Sequence, residues 1–164
     1  MIQVFKGNLF DYLTPITEDE SSVHFIIHGC NAQGRMGTGF AKELRRRFPS
    51  AYHEYDKAYS DGNNHLKVGS VIYHAESTNL IICNAVTQEY YGRDGAKYVS
   101  YDAIDNVFID LDNTASLLKK LSGIRDVHFH FPKIGSDLGG GNWNVIAEII
   151  DSRVTNATKN LYEL

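Results

Sequence analysis

Gly29-Cys30-Asn31-Ala32-Gln33-Gly34-Arg35-Met36-Gly37-Thr38-Gly39 follows the apolar run Val23 to His28 and leads into Phe40-Ala41-Lys42-Glu43-Leu44. The chain therefore passes from a strand through a glycine-rich loop into the opening of a helix. A second glycine-rich stretch, Gly135-Ser136-Asp137-Leu138-Gly139-Gly140-Gly141, comes after another strand-like run, Val127 to Phe131. Glycine admits φ > 0 and lets a ligand approach the backbone where a Cβ would otherwise stand, and the free N–H groups of a helix N-terminus favour an anion. Taken singly, each loop also reads as a tight turn. Taken together they read as two jaws of one phosphate-binding site. Neither is a nucleotide motif by spacing: no Gly-Lys-Ser/Thr is present, and Gly34-x-x-Gly37-x-Gly39 reverses the dinucleotide order.

Ile2 to Phe5, Val71 to His74 and Leu80 to Val86 join these two runs as predicted strands, rich in β-branched and aromatic residues and bounded by Gly, Asn, Ser or Pro. The tail, Thr158 to Leu164, alternates weakly and is expected as a further strand at a sheet edge. Helical spacing links Phe40, Leu44 and Phe48; Ile104, Val107, Leu111, Leu118 and Leu121; and Trp143, Ile146 and Ile150. Pro49-Ser50 is expected to end the first helix and cap a short one through Asp56 and Tyr59. Thr17 to Ser22 and Ser60 to Asn64 read as polar loops. Strands alternating with helices predict an α/β sandwich with helices on both faces of a sheet.

A chain of 164 residues is expected to be one domain, burying roughly two thirds of its unfolded surface. The formal charge of −4 and a pI near 5.9 argue against a general nucleic-acid binder, so anion recognition has to be local. Lys42, Arg45, Arg46 and Arg47 read as a solvated helix face. Cys30 and Cys83 are the only cysteines, which excludes a disulfide framework and suits small buried hydrophobes. No signal-like start and no apolar segment of about 18 residues is present, so a soluble, cytoplasmic protein without a membrane partner is expected. His24, His28, His128 and His130 lie at strand spacing, but no Cys or carboxylate pattern completes a zinc set, and no metal is expected.

Lys6-Gly7-Asn8-Leu9, His28-Gly29-Cys30-Asn31, Met36-Gly37-Thr38-Gly39-Phe40-Ala41 and Pro132-Lys133-Ile134-Gly135-Ser136-Asp137-Leu138-Gly139-Gly140 before Trp143 stand in an order and at separations that resemble the macro domain, the ADP-ribose-binding α/β module. The resemblance covers nearly the whole length. It is nearest to the small ADP-ribose-1″-phosphate phosphatases, which share the His-x-Cys-Asn start, Gly-Asn in place of Gly-Asp, and an ending like Tyr162-Glu163-Leu164. It implies a three-layer α/β/α sandwich with a mixed central sheet, no cofactor, ADP-ribose and ADP-ribose 1″-phosphate as ligands, and hydrolytic removal of phosphate from the latter.

The same resemblance implies the site residues. Asn8 and Leu9 would meet the adenine end, and Asn31 would point at the distal ribose. Gly37, Thr38, Gly39 and Phe40 would pass the distal ribose and diphosphate; Ser136, Asp137, Leu138, Gly139 and Gly140 would supply amides from the other side. His28, with Asp94 in the turn Gly92-Arg93-Asp94-Gly95, would form an acid and base pair assisted by Asn31. Each has a plainer alternative: His28 as a hydrogen-bonded core histidine, Asn31 and Asp94 as turn residues. Two other functions stay open. In a glycohydrolase branch that removes ADP-ribose from protein or nucleic acid, the chemistry belongs to a lysine and an aspartate whose places fall here on Gln88 and Gly139. A non-catalytic ADP-ribose reader needs only the loops.

Overall fold

Val23–Asn31 is buried at eight of its nine positions, which is what a strand covered on both faces by helices requires. The computed structural model describes residues 1–92, 94–123, 126–136 and 139–164. Six strands, β1 (Gln3–Lys6), β2 (Val23–Asn31), β3 (Val71–Ala75), β4 (Leu80–Gln88), β5 (Val127–Phe131) and β6 (Thr158–Glu163), make one sheet in the order β1-β6-β5-β2-β4-β3. Only β3 is antiparallel to its neighbour, so the sheet is mixed.

Among the described residues five α-helices cover it: α1 (Leu13–Glu18), α2 (Gly39–Arg47), α3 (Pro49–Asp61), α4 (Tyr101–Ser122) and α5 (Trp143–Arg153). On one face Ile104, Phe108 and Leu111 of α4 and Ile146 and Ile150 of α5 pack on Phe25, Ile27, Phe129 and Phe131. On the other face Ile16 of α1, Leu44 of α2 and Ala51 of α3 pack on Ile26 and Ile82. Each fully buried Phe, Leu or Ile contributes roughly 1.5–3 kcal/mol of transfer free energy, so these two interfaces fix the three-layer arrangement. No described helix is long and apolar enough to cross a membrane.

Three local expectations differ. The tail strand lies between β1 and β5, not at an edge. Its polar residues are satisfied internally: Lys159 Nζ reaches Asp151 Oδ1 at 2.7 Å and Asn160 Nδ2 donates to the Phe129 carbonyl at 3.1 Å. Strand alternation is blurred because both faces are covered. Ser50 caps nothing, since Phe48 holds the N-cap of α3 and Pro49 sits in its first turn, where a missing N–H costs no hydrogen bond. The segment read as a loop from Thr17 starts inside α1, which follows a 3-10 turn at Leu9–Tyr12 and is too short to show periodicity.

Candidate functional site

All five parallel strands point their carboxyl ends the same way, and a cleft of about 930 Å³ opens there. After β2 the chain leaves for α2 and α3 on one face of the sheet; after β5 it leaves for α5 on the other. The two connections part above a pair of adjacent strands, the place where open α/β sheets bind ligands. Of the residues the resemblance implies, Asn8, Leu9, His28, Asn31, Gly37, Thr38, Gly39, Phe40, Ser136 and Gly139 all line this cleft. Gly140 and Asp94 do not, and Asp137 and Leu138 lie outside the described residues.

The first loop is built around Asn31. Its Oδ1 accepts from the N–H groups of Gln33 (3.0 Å) and Arg35 (3.2 Å), and its Nδ2 donates to the Arg35 carbonyl (2.8 Å). Tyr55, fully buried on α3, donates its hydroxyl to the Asn31 carbonyl at 2.6 Å. Asn31 is thus the clamp of its own loop, with one Nδ2 proton left to offer a ligand. Beyond it, Thr38 occupies the N-cap of α2 without a side-chain bond, and there is no acidic residue in the first turn. The unpaired N–H groups of that turn meet the cleft at Gly39, Phe40 and Ala41. A Cβ placed on Gly37 or Gly39 would touch nothing within 4 Å, so this lip is open for close approach.

The second loop is tied to the Ala96–Val99 segment, because Tyr98 and Val99 both donate backbone N–H groups to the Gly139 carbonyl, at 2.7 and 3.0 Å. Gly140 sits at φ +70°, and a Cβ there would lie 2.4 Å from the Ala96 carbonyl oxygen. Backbone packing by itself therefore requires a glycine at this position. Ser136 turns both its N–H (3.2 Å) and its hydroxyl (3.0 Å) to the Lys133 carbonyl, so its amide serves the loop's own turn. At the far end Asn8 caps the 3-10 turn, its Oδ1 accepting from Phe10 N–H at 3.0 Å, which leaves the second lone pair and the amide protons free.

His28 lies at the floor with 1% of its surface exposed, its ring beneath Phe40 at 5.9 Å between centroids. Asn84 donates Nδ2 to the Ala51 carbonyl (3.1 Å), which turns its Oδ1 toward His28 Nε2 at 2.6 Å. His28 must therefore carry its proton on Nε2, which leaves Nδ1 as the acceptor, with the Cys30 Sγ 3.9 Å away as its protein neighbour. Burial pushes its pKa down to about 4, against a smaller upward pull from Asn84, so the ring is neutral at pH 7. Desolvation drives the adjacent Cys30 thiol far above its ordinary range, which makes it inert as a nucleophile. Asp94 is turned elsewhere: Oδ1 accepts from Ala96 N–H (3.1 Å) and the Tyr98 hydroxyl (2.8 Å), an exposed turn that the structure does not bring to His28.

Two further strand histidines, His24 and His130, form a buried line, with the half-buried His128 stacked on His24 at 5.0 Å between ring centroids. Asp19 Oδ2 lies 2.8 Å from His24 Nε2, His24 Nδ1 2.8 Å from His130 Nε2, and His130 Nδ1 2.8 Å from the Tyr162 hydroxyl. Burial keeps the His130 ring neutral, so it meets the Tyr162 hydroxyl with one nitrogen and His24 with the other. No three His, Cys, Asp or Glu come together as a metal site among the described residues. Two supports, Asn84 and Tyr55, escape the sequence reading. Asn84 did carry a signal, since an amide in the middle of the apolar run Leu80 to Val86 needs a partner.

No family model matches the chain. It is 26% identical over 150 residues to a protein of Candida albicans named ADP-ribose 1″-phosphate phosphatase, covering 87% of each chain. It is 30% identical over 132 residues to an uncharacterized 17.5 kDa protein of Enterobacteria phage T4, covering 77% of each. Among solved structures, a macrodomain protein from Streptomyces coelicolor superposes with a TM-score of 0.76 at 24% identity, covering 100% of this chain and 99% of the other. DarTG from Thermosipho africanus, solved in complex with ADP-ribose, superposes with a TM-score of 0.72 at 16% identity, covering 99% of this chain and 41% of the other. At those identities the structural likenesses speak for the fold.

Proposed function

We propose that this chain, whose fold is that of a macro domain, binds ADP-ribose in its cleft and hydrolyses ADP-ribose 1″-phosphate to ADP-ribose and inorganic phosphate. One observation carries the reading: both glycine-rich loops and the neutral imidazole of His28 line a single cleft at the carboxyl ends of the parallel strands. The adenosine lies toward Asn8 and Leu9, and the diphosphate lies between the α2 N-terminus and the Ile134–Ser136 turn. The terminal phosphate lies over the floor at His28 and Gly29. Water attacks the phosphorus, the bond from phosphorus to the anomeric oxygen breaks, and His28 Nδ1 takes the water proton and returns it to the leaving oxygen. A pKa of about 4 makes His28 a weak base that is always unprotonated at neutral pH. Asn31 acts by shaping the first loop, and Asp94 has no part in the step.

The name of the Candida albicans relative supports this reaction. The glycohydrolase reading is weaker, because Gln88 and Gly139 both line the cleft and bring neither a lysine nor a carboxylate. The test is incubation of the pure protein with ADP-ribose 1″-phosphate while phosphate is followed against time. Steady release supports the phosphatase; no release together with retained ADP-ribose binding leaves a reader.

A further inference from the structure

Four charged side chains line the cleft among the described residues: Arg35, Glu43, Lys133 and Glu163. Three are already neutralised. Glu43 pairs with Arg46 at 2.6 Å and Arg47 at 2.7 Å, and Glu163 pairs with Lys6 at 2.6 Å and Lys133 at 3.2 Å. Arg35 makes no ion pair with a described carboxylate. The neighbouring arginines of α2 are also occupied, Arg45 over the Tyr52 ring at 3.8 Å and Arg47 over Phe10 at 5.2 Å. Among the described residues, Arg35 is thus the uncommitted cation of the cleft wall.

Its backbone is not loose. Asn31 holds both its N–H and its carbonyl, and the next residue, Met36, is 2% exposed and anchored in the core formed with Tyr55 and Val86. A guanidinium carried on such a base presents a planar fork of donors suited to two oxygens of a phosphate. We infer that Arg35 is the residue that recognises the terminal phosphate monoester and so separates ADP-ribose 1″-phosphate from ADP-ribose. The inference rests on the phosphatase reading above. In that reading the diphosphate, common to both molecules, is met by the amides of the α2 N-terminus; the extra dianion is what distinguishes substrate from product, and among the described residues Arg35 is the lining charge left to meet it.

The experiment measures kcat and KM for phosphate release and, by calorimetry, the dissociation constant of ADP-ribose, in wild type, Arg35→Gln and Arg35→Lys at low salt. Arg35→Gln is expected to lower kcat/KM by about 10–100-fold, chiefly through KM, while ADP-ribose affinity stays within about twofold. Arg35→Lys recovers part of the loss, and added salt narrows the difference between wild type and Arg35→Gln. An equal fall for both molecules, or no change for either, overturns the assignment. If the wild type releases no phosphate, the phosphatase reading fails by itself. Titration of the uncleaved 1″-phosphate against ADP-ribose into the same three proteins then reads Arg35 directly: a ratio of affinities that Arg35→Gln leaves unchanged rejects it.

Discussion

Acidification from pH 7 to pH 5 should destabilise this fold steeply, because it holds two neutral imidazoles in its core. His28 and His130 are 1% and 5% exposed, and burial pushes their pKa values from near 6.5 to about 4 and about 3. In the unfolded chain both rings titrate near 6.5. Between the folded and unfolded values the unfolded state binds more protons, so stability rises with pH. The contribution is complete above about pH 6.5 and is lost as pH falls below it. At pH 5 an unfolded ring is almost fully protonated and a folded one almost fully neutral, which costs about 2 kcal/mol for each, or about 4 kcal/mol for the pair. Against a typical stability of about 5–15 kcal/mol that is a large fraction. The lowered pKa of His128 acts in the same sense. The Asp19 carboxylate, held well below its usual range by Ser21 and His24, loses its contribution only below about pH 4 and stays outside the window. Urea unfolding at pH 7, 6 and 5 reads the effect, and His130→Gln should flatten the pH dependence by about half whatever it does to absolute stability. A wild-type stability that is level or rising from pH 7 to pH 5 would refute neutral burial of these rings.

Gly37→Val should abolish ADP-ribose binding by calorimetry with the melting temperature unchanged, since its Cβ meets no protein atom and the side chain fills the lip of the cleft. Gly140→Val should instead lower the melting temperature, because its Cβ collides with the Ala96 carbonyl and its φ of +70° disfavours a β-branched residue. Asn84→Leu strands the His28 Nε2–H and the Ala51 carbonyl, and should cost about 1–3 kcal/mol for each group left unpaired, read by denaturant unfolding. His28→Ala should cut phosphate release by about 10²-fold while ADP-ribose affinity holds within a few fold; an activity loss that merely tracks the unfolded fraction would return His28 to the core.

The passage from β2 through the first loop into α2 is legible in the sequence because its signals are local: an apolar run, closely spaced glycines, and a helical stripe at Phe40, Leu44 and Phe48. The place of β6 is not, because strand order is set by pairing between distant segments, and Lys159 and Asn160 look like edge residues until Asp151 and Phe129 are brought beside them. The site divides in the same way. That two loops face one cleft follows from glycine chemistry, but what each polar side chain does depends on remote partners. His28 meets Asn84, 56 residues on, and Asn31 meets Tyr55, 24 residues on. Asp94 is decided by Tyr98, four residues away, which draws its carboxylate into a surface turn.

Titration calorimetry of ADP-ribose against AMP decides whether the two loops act as one ligand site. A cleft that spans Asn8 at one end and the α2 N-terminus at the other needs both the diphosphate and the distal ribose. ADP-ribose should therefore bind at least about tenfold more tightly than AMP, a difference of about 1.4 kcal/mol or more. Equal affinities for the two would mean that the loops do not grip one ligand, and would contradict the proposed function at its base.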